Sequence, residues 1–149
     1  MSQSNKDLIV RSFDEVLSTG RLELADQLVH PGYVNHEAGE GGPGGPEGFR
    51  QTVTRLRDGF PDLRFSVQDV IGEGDRVVVR GMFEGTHHGS FNGMPATGRR
   101  VSVQHIHIFR VQDGMVAEHW ACRDDLGALR QLGVPVGGPA GQRDQEALA

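Results

Sequence analysis

Residues 100–123, Arg-Val-Ser-Val-Gln-His-Ile-His-Ile-Phe-Arg-Val-Gln-Asp-Gly-Met-Val-Ala-Glu-His-Trp-Ala-Cys-Arg, decide the fold. Apolar residues recur with the period of two that a pleated strand requires, on both sides of a central break. The break is Gln112-Asp113-Gly114, and Asp-Gly between two such runs signals a tight hairpin. The stretch therefore predicts two antiparallel strands, Arg100 to Val111 and Met115 to Arg123. By alternation, His105, His107 and Phe109 share one face of the first strand, with Gln104, Ile106 and Ile108 on the other. On the second strand Val116, Glu118, Trp120 and Cys122 share a face and His119 points away. Matching the bulky residues across the hairpin puts Glu118 and Trp120 on the concave side with His105, His107 and Phe109. Ile106, Ile108 and His119 then form the opposite face, where a second copy of the chain is expected to pack.

Two further strands precede the hairpin. Leu63 to Ile71 and the valine-rich Arg76 to Thr86 flank the turn Glu73-Gly74-Asp75. Upstream the period is helical. Leu8, Ile9, Ser12, Phe13, Val16 and Leu17 place a helix over residues 5–18, with Ser4 as its cap and Asp7 as capping-box partner. A second helix covers Leu22 to Val29 and stops at His30-Pro31-Gly32. Tyr33-Val34-Asn35-His36 is an extended piece. Residues 37–46 carry five glycines and two prolines and form a loop. A third helix runs from Pro46 to about Gly59, and a last one follows Asp124 or Asp125 to Leu132. Helices followed by a run of strands specify an α+β fold, with the helices on one face of a curved antiparallel sheet.

The 149 residues suit one domain, 1–135, followed by a glycine-rich tail, 136–149, expected to be flexible. A net charge of −5 argues against nucleic acid as a partner, since phosphate binding needs a basic face. No apolar run reaches the roughly 20 residues that span a bilayer, and no apolar signal core opens the chain, so a cytoplasmic protein is expected. Cys122 is the only cysteine, so no internal disulfide can form.

Two histidines and a glutamate converging on a concave surface suit acid/base chemistry. A carboxylate in an apolar site shifts its pKa up, as a general base working near neutral pH requires. His36 is expected at the pocket rim, with Trp120 and Phe109 as apolar walls. Tyr33 and Arg80 are further pocket candidates. Asp124 is placed between a pocket carboxylate and a helix cap. A metal site built on His105 and His107 with His36 or Glu118 as third ligand is the competing use of the same residues.

The segments His30-Pro31-Gly32-Tyr33-Val34-Asn35-His36, Phe60-Pro61-Asp62, Gly85 to Gly98 (Gly-Thr-His-His-Gly-Ser-Phe-Asn-Gly-Met-Pro-Ala-Thr-Gly) and Asp113-Gly114-Met115-Val116-Ala117-Glu118-His119-Trp120 through Asp124 to Gln131-Leu132-Gly133 together resemble the SnoaL-like polyketide (ester) cyclases. The resemblance covers about residues 5 to 133. It implies the cone-shaped nuclear transport factor 2-like fold and cofactor-free, metal-free closure of polyketide rings by intramolecular aldol condensation. It also implies a pocket carboxylate as general acid/base, carried onto Glu118, and an assisting histidine, carried onto His105. Glutamate departs from the aspartate expected of the family. The substrate would be apolar and carbonyl-bearing, and a homodimer is expected. The alternatives are an isomerase, dehydratase or hydrolase using the same pocket, or a non-catalytic small-molecule-binding dimeric domain.

Overall fold

The computed structural model describes residues 2–136. Five strands form one sheet in the order β1-β5-β4-β3-β2. They are β1 (Val29–Asn35), β2 (Arg64–Glu73), β3 (Arg76–Thr86), β4 (Arg100–Gln112) and β5 (Met115–Arg123). The helices are α1 (Ser2–Arg11), which continues as a π-helical stretch Ser12–Leu17, α2 (Ala25–Leu28) after a 3₁₀ turn Leu22–Leu24, α3 (Gly45–Gly59) and α4 (Asp125–Gln131). The expected flexibility of the tail falls almost wholly outside the described residues.

The predicted hairpin forms. Asp113 and Gly114 both take positive φ, 54° and 70°, the geometry of the two-residue turn that Asp-Gly favours. Strands β2 and β3 pair antiparallel, as do β3 with β4 and β4 with β5. The extended piece at Tyr33–His36 is more than a connection. Its residues Tyr33 to Asn35 belong to β1, which pairs parallel with β5 through Val34 and Asn35 opposite Glu118 and His119. The sheet is thus mixed, where a purely antiparallel one was expected. The first helix starts earlier than predicted, so Ser4 lies inside it and not at its cap.

The core lies on one face. Ile9, Phe13 and Val16 from the first helix and Val53 from α3 pack against Phe65, Val77, Val79, Val101, Val103 and Val116. α1 touches β2, β3 and β5, so the sheet curves around it. On β4 burial alternates strictly: Val101, Val103, His105, His107, Phe109 and Val111 are buried, while Gln104, Ile106 and Ile108 are exposed. Two polar ties close the end of the sheet. Asp62 accepts from the Thr86 amide and hydroxyl at 2.7 and 2.8 Å. Buried His87 holds Thr97 through Nδ1, pinning the glycine-rich loop between β3 and β4.

One irregularity governs the site. The β4–β5 register shifts between Arg110 and Val111: Arg110 faces Glu118 while Val111 faces Val116. Ala117 is the extra residue of a β-bulge, and such an insertion breaks the alternation of faces. Val116 points inward before it. After it the inward residues are His119, Ala121 and Arg123, and Glu118 and Trp120 point outward.

Candidate active site

The inner face of β4 and β5 brings three histidines together. Phe109 lies opposite His119, His107 opposite Ala121 and His105 opposite Arg123. Aromatic rings enclose them. Phe13 meets His107 edge-on at 5.2 Å between ring centroids, and Phe65 does so at 5.3 Å. Phe83 stacks on His105 at 5.1 Å, and Phe109 stacks on His119 at 4.9 Å.

Hydrogen bonds order two of the histidines. Asn35 Oδ1 accepts the Glu37 amide at 3.0 Å and lies 2.8 Å from His119 Nδ1. His119 Nε2 lies 2.8 Å from His107 Nδ1. The Asn35 oxygen is an acceptor, so His119 carries its proton on Nδ1. Its Nε2 then accepts, so His107 donates from Nδ1. The chain ends on the bare lone pair of His107 Nε2, which is buried and has no partner among the described residues. The ring nitrogens of His105 also engage none of the described residues.

These imidazoles are neutral at physiological pH. Burial, then the positive charge of Arg123, pulls His105 down to about 4, against a smaller opposing effect of Asp124. The same two causes, burial first, bring His119 to about 3. His107 is driven well below the ordinary histidine range by burial and by its neighbours His119, His105 and Arg123. Removing a charge-bearing form from water without an anionic partner disfavours that form. The inner row is therefore a set of neutral bases beside one permanent cation.

A model of the SnoaL-like polyketide cyclase family matches residues 7–132. The chain belongs to the SnoaL-like polyketide cyclase family. It is 37% identical to the aklanonic acid methyl ester cyclase DnrD of Streptomyces peucetius over 139 residues, which is 91% of this chain and 95% of that protein. It is 36% identical to the nogalonic acid methyl ester cyclase of Streptomyces nogalater, covering 79% of this chain and 90% of that one. Among solved structures it is similar to TsrD from Streptomyces laurentii, with a TM-score of 0.75 at 35% identity over 88% of this chain and 93% of the other. It is also similar to IdmH from Streptomyces antibioticus, with a TM-score of 0.74 at 34% identity over 87% and 99%. The chain is accordingly an enzyme of SnoaL-like polyketide cyclase type.

Within this SnoaL-like frame the predicted residues separate. His105, His107 and Phe109 meet on the inner face, as alternation along β4 predicts. Glu118 does not join them, because the bulge at Ala117 turns it outward. There it accepts from Arg110 Nε at 2.6 Å and lies 2.8 Å from His36 Nε2. These bonds, that to His36 foremost, hold its carboxyl below the usual range, the opposite of the expected upward shift. His36 and Trp120 stack on each other at 4.8 Å on the same outer side. Arg80 is outward too, paired with Asp69 at 2.6 Å. Tyr33 is buried, but against Phe49 of α3, and burial pushes its phenol up. Asp124 is the N-cap of α4, accepting the Gly127 amide at 2.8 Å. With His36 and Glu118 outside, neither third ligand considered for a metal reaches His105 and His107. Among the described residues no three His, Cys, Asp or Glu side chains gather as a metal site.

Four inner residues escaped the sequence reading. Unbroken alternation puts His119 on the wrong face, and Arg123 is not among the residues that the sequence singles out. Asn35 needed the β1–β5 pairing. Glu37 opens the glycine-rich loop in the sequence, yet its Oε1 accepts the Ala121 amide at 2.7 Å, the amide that β1 leaves unpaired beyond its end. The described inner row of β4 and β5 carries no carboxylate of its own.

Proposed function

We propose that this enzyme closes a ring by intramolecular aldol condensation on an apolar, carbonyl-bearing polyketide ester, in the cytoplasm and in secondary metabolism. Acid/base side chains alone perform the chemistry. The observation that carries the reading is His105: a neutral imidazole whose nitrogens no described residue engages, on an aromatic-lined inner face. His105 takes the proton from a carbon alpha to a carbonyl, and that C–H pair becomes the enolate. The enolate carbon attacks a second carbonyl carbon of the same molecule. A C–C bond forms, the carbonyl pair moves onto its oxygen, and that oxygen recovers the proton from His105. No atom is lost, so the base is regenerated. The Asn35–His119–His107 chain holds the next imidazole in one tautomer and keeps the floor of the site rigid. The two named relatives are cyclases of aklanonic acid methyl ester and of nogalonic acid methyl ester, which supports this substrate class. We extend the reading to a homodimer through the outer face, where Ile71, Ile106 and Ile108 are exposed.

The test is turnover of aklanonic acid methyl ester by wild type and His105→Gln. General acid/base assistance is worth about 10²–10⁴ in rate. His105→Gln should lower kcat by that factor with KM nearly unmoved. Wild-type kcat/KM should fall in acid as His105 protonates near pH 4. A His105→Gln enzyme within about tenfold of wild type removes His105 from the chemistry. Saturable binding with no ring closure by wild type would instead favour a non-catalytic ligand-binding domain.

A further inference from the structure

Arg123 is the one cation of the described inner row, and the structure gives it no strong partner. It is cross-strand partner to His105 and on the same face. Its side chain is about two-thirds buried, at 33% exposure. The nearest carboxylate, Asp125, is 3.7 Å away, well beyond the 2.7–2.9 Å of a charge-assisted hydrogen bond. Asp124 is occupied as the cap of α4. Three other arginines of the sheet are tied by closer ion pairs: Arg80 to Asp69, Arg100 to Glu84 and Arg110 to Glu118. The charge of Arg123 lowers the proton affinity of all three neutral histidines. A partly buried guanidinium whose one ion pair is long gains from an anion that completes its hydrogen bonds.

The shape of the site narrows that anion. A guanidinium is a planar fork that matches two coplanar oxygens sharing one charge. Aromatic rings continue beyond His105, its cross-strand partner. Phe83 stacks on His105, Phe60 meets Phe83 edge-on at 5.3 Å, and Phe91 meets Phe60 at 5.4 Å. A flat fork with the His105 ring as its cross-strand neighbour suits a flat, delocalised oxyanion. The base beside the fork is weak, and a weak base removes a proton only from an acidic carbon, one flanked by two carbonyls. We propose that Arg123 binds the enolate of a 1,3-dicarbonyl group through both oxygens, holding the carbon between them beside His105. This rests on the cyclase reading for its catalytic meaning, but the anion site is testable without turnover.

The probe is 2-acetylcyclohexane-1,3-dione, ionised at neutral pH, compared with its neutral enol methyl ether. Binding to wild type, Arg123→Gln, Arg123→Lys and Arg55→Gln is measured by calorimetry at pH 7.5, with circular dichroism as the folding control. Arg55 of α3 lies over the Phe91 ring, and its affinity for its proton is lowered by burial and then by Arg123's charge, so it reports a diffuse field. Wild type should prefer the anion by roughly 10- to 100-fold, the worth of charge-assisted hydrogen bonds. Arg123→Gln should abolish that preference and leave ether binding unchanged. Arg123→Lys should keep only a small part, because it retains the charge and loses the fork. Arg55→Gln should keep the wild-type ratio. The proposal is overturned if Arg123→Gln keeps the preference, or if Arg55→Gln loses as much of it. Absence of ring closure beside an Arg123-dependent preference would overturn the cyclase reading and leave the anion site standing.

Discussion

Replacing His105 by phenylalanine should flatten the acid sensitivity of this protein. In the folded chain His105 binds its proton only near pH 4, whereas the unfolded chain binds it at the ordinary 6.5. Between those values the unfolded state holds one more proton from this group. Stability that is fully present above pH 6.5 is therefore lost as pH falls toward 4. Each pH unit inside the window costs about 1.4 kcal/mol per group, so the loss from His105 alone reaches about 2 kcal/mol at pH 5. Phenylalanine keeps the stack on Phe83 and has no proton to bind. His107, His119 and the outer carboxylates are present in both proteins, so the difference between them reads chiefly His105. Urea unfolding followed by far-ultraviolet circular dichroism at pH 7.5 and 5.0 reads it directly. Wild type should lose about 2 kcal/mol more than His105→Phe between the two conditions. Parallel losses would refute the claim that burial keeps this imidazole neutral, and with it the account of a neutral base row.

Two other outcomes follow from the geometry. Glu118→Gln should weaken the outer-face contacts to Arg110 and His36 yet leave cyclisation at the wild-type rate; a fall of about 10² or more would return Glu118 to the chemistry as the base. Light scattering at micromolar concentration should give twice the 16.2 kDa chain mass, with Ile106→Glu and Ile108→Glu each giving the single mass. A monomeric wild type would sink the dimer.

Much of the architecture is legible in the chain alone, because strand period, helix period and the Asp113-Gly114 turn are local properties. The strict alternation of β4 places His105, His107 and Phe109 together without any tertiary information. The loop and hairpin motifs that resemble the SnoaL-like cyclases agree with the family to which the chain belongs. The cap role of Asp124 is equally local, one side chain reaching an amide three residues on.

What the tertiary structure alone decides is the identity of the second strand's inner residues. A bulge is a property of two paired strands, and no feature of Val116-Ala117-Glu118 announces which residue the partner will skip. One inserted residue exchanges Glu118 for His119 and brings Arg123 to the row of His105. It turns an expected carboxylate base into an outer ion pair and an expected surface histidine into a link of the inner chain. The parallel pairing of β1 is likewise non-local, joining residues 29–35 to a strand more than eighty positions away. That pairing supplies Asn35, whose single amide oxygen sets the tautomers of two histidines. Sequence alone therefore establishes which elements form and which face of β4 is buried; long-range pairing determines which charges meet that face.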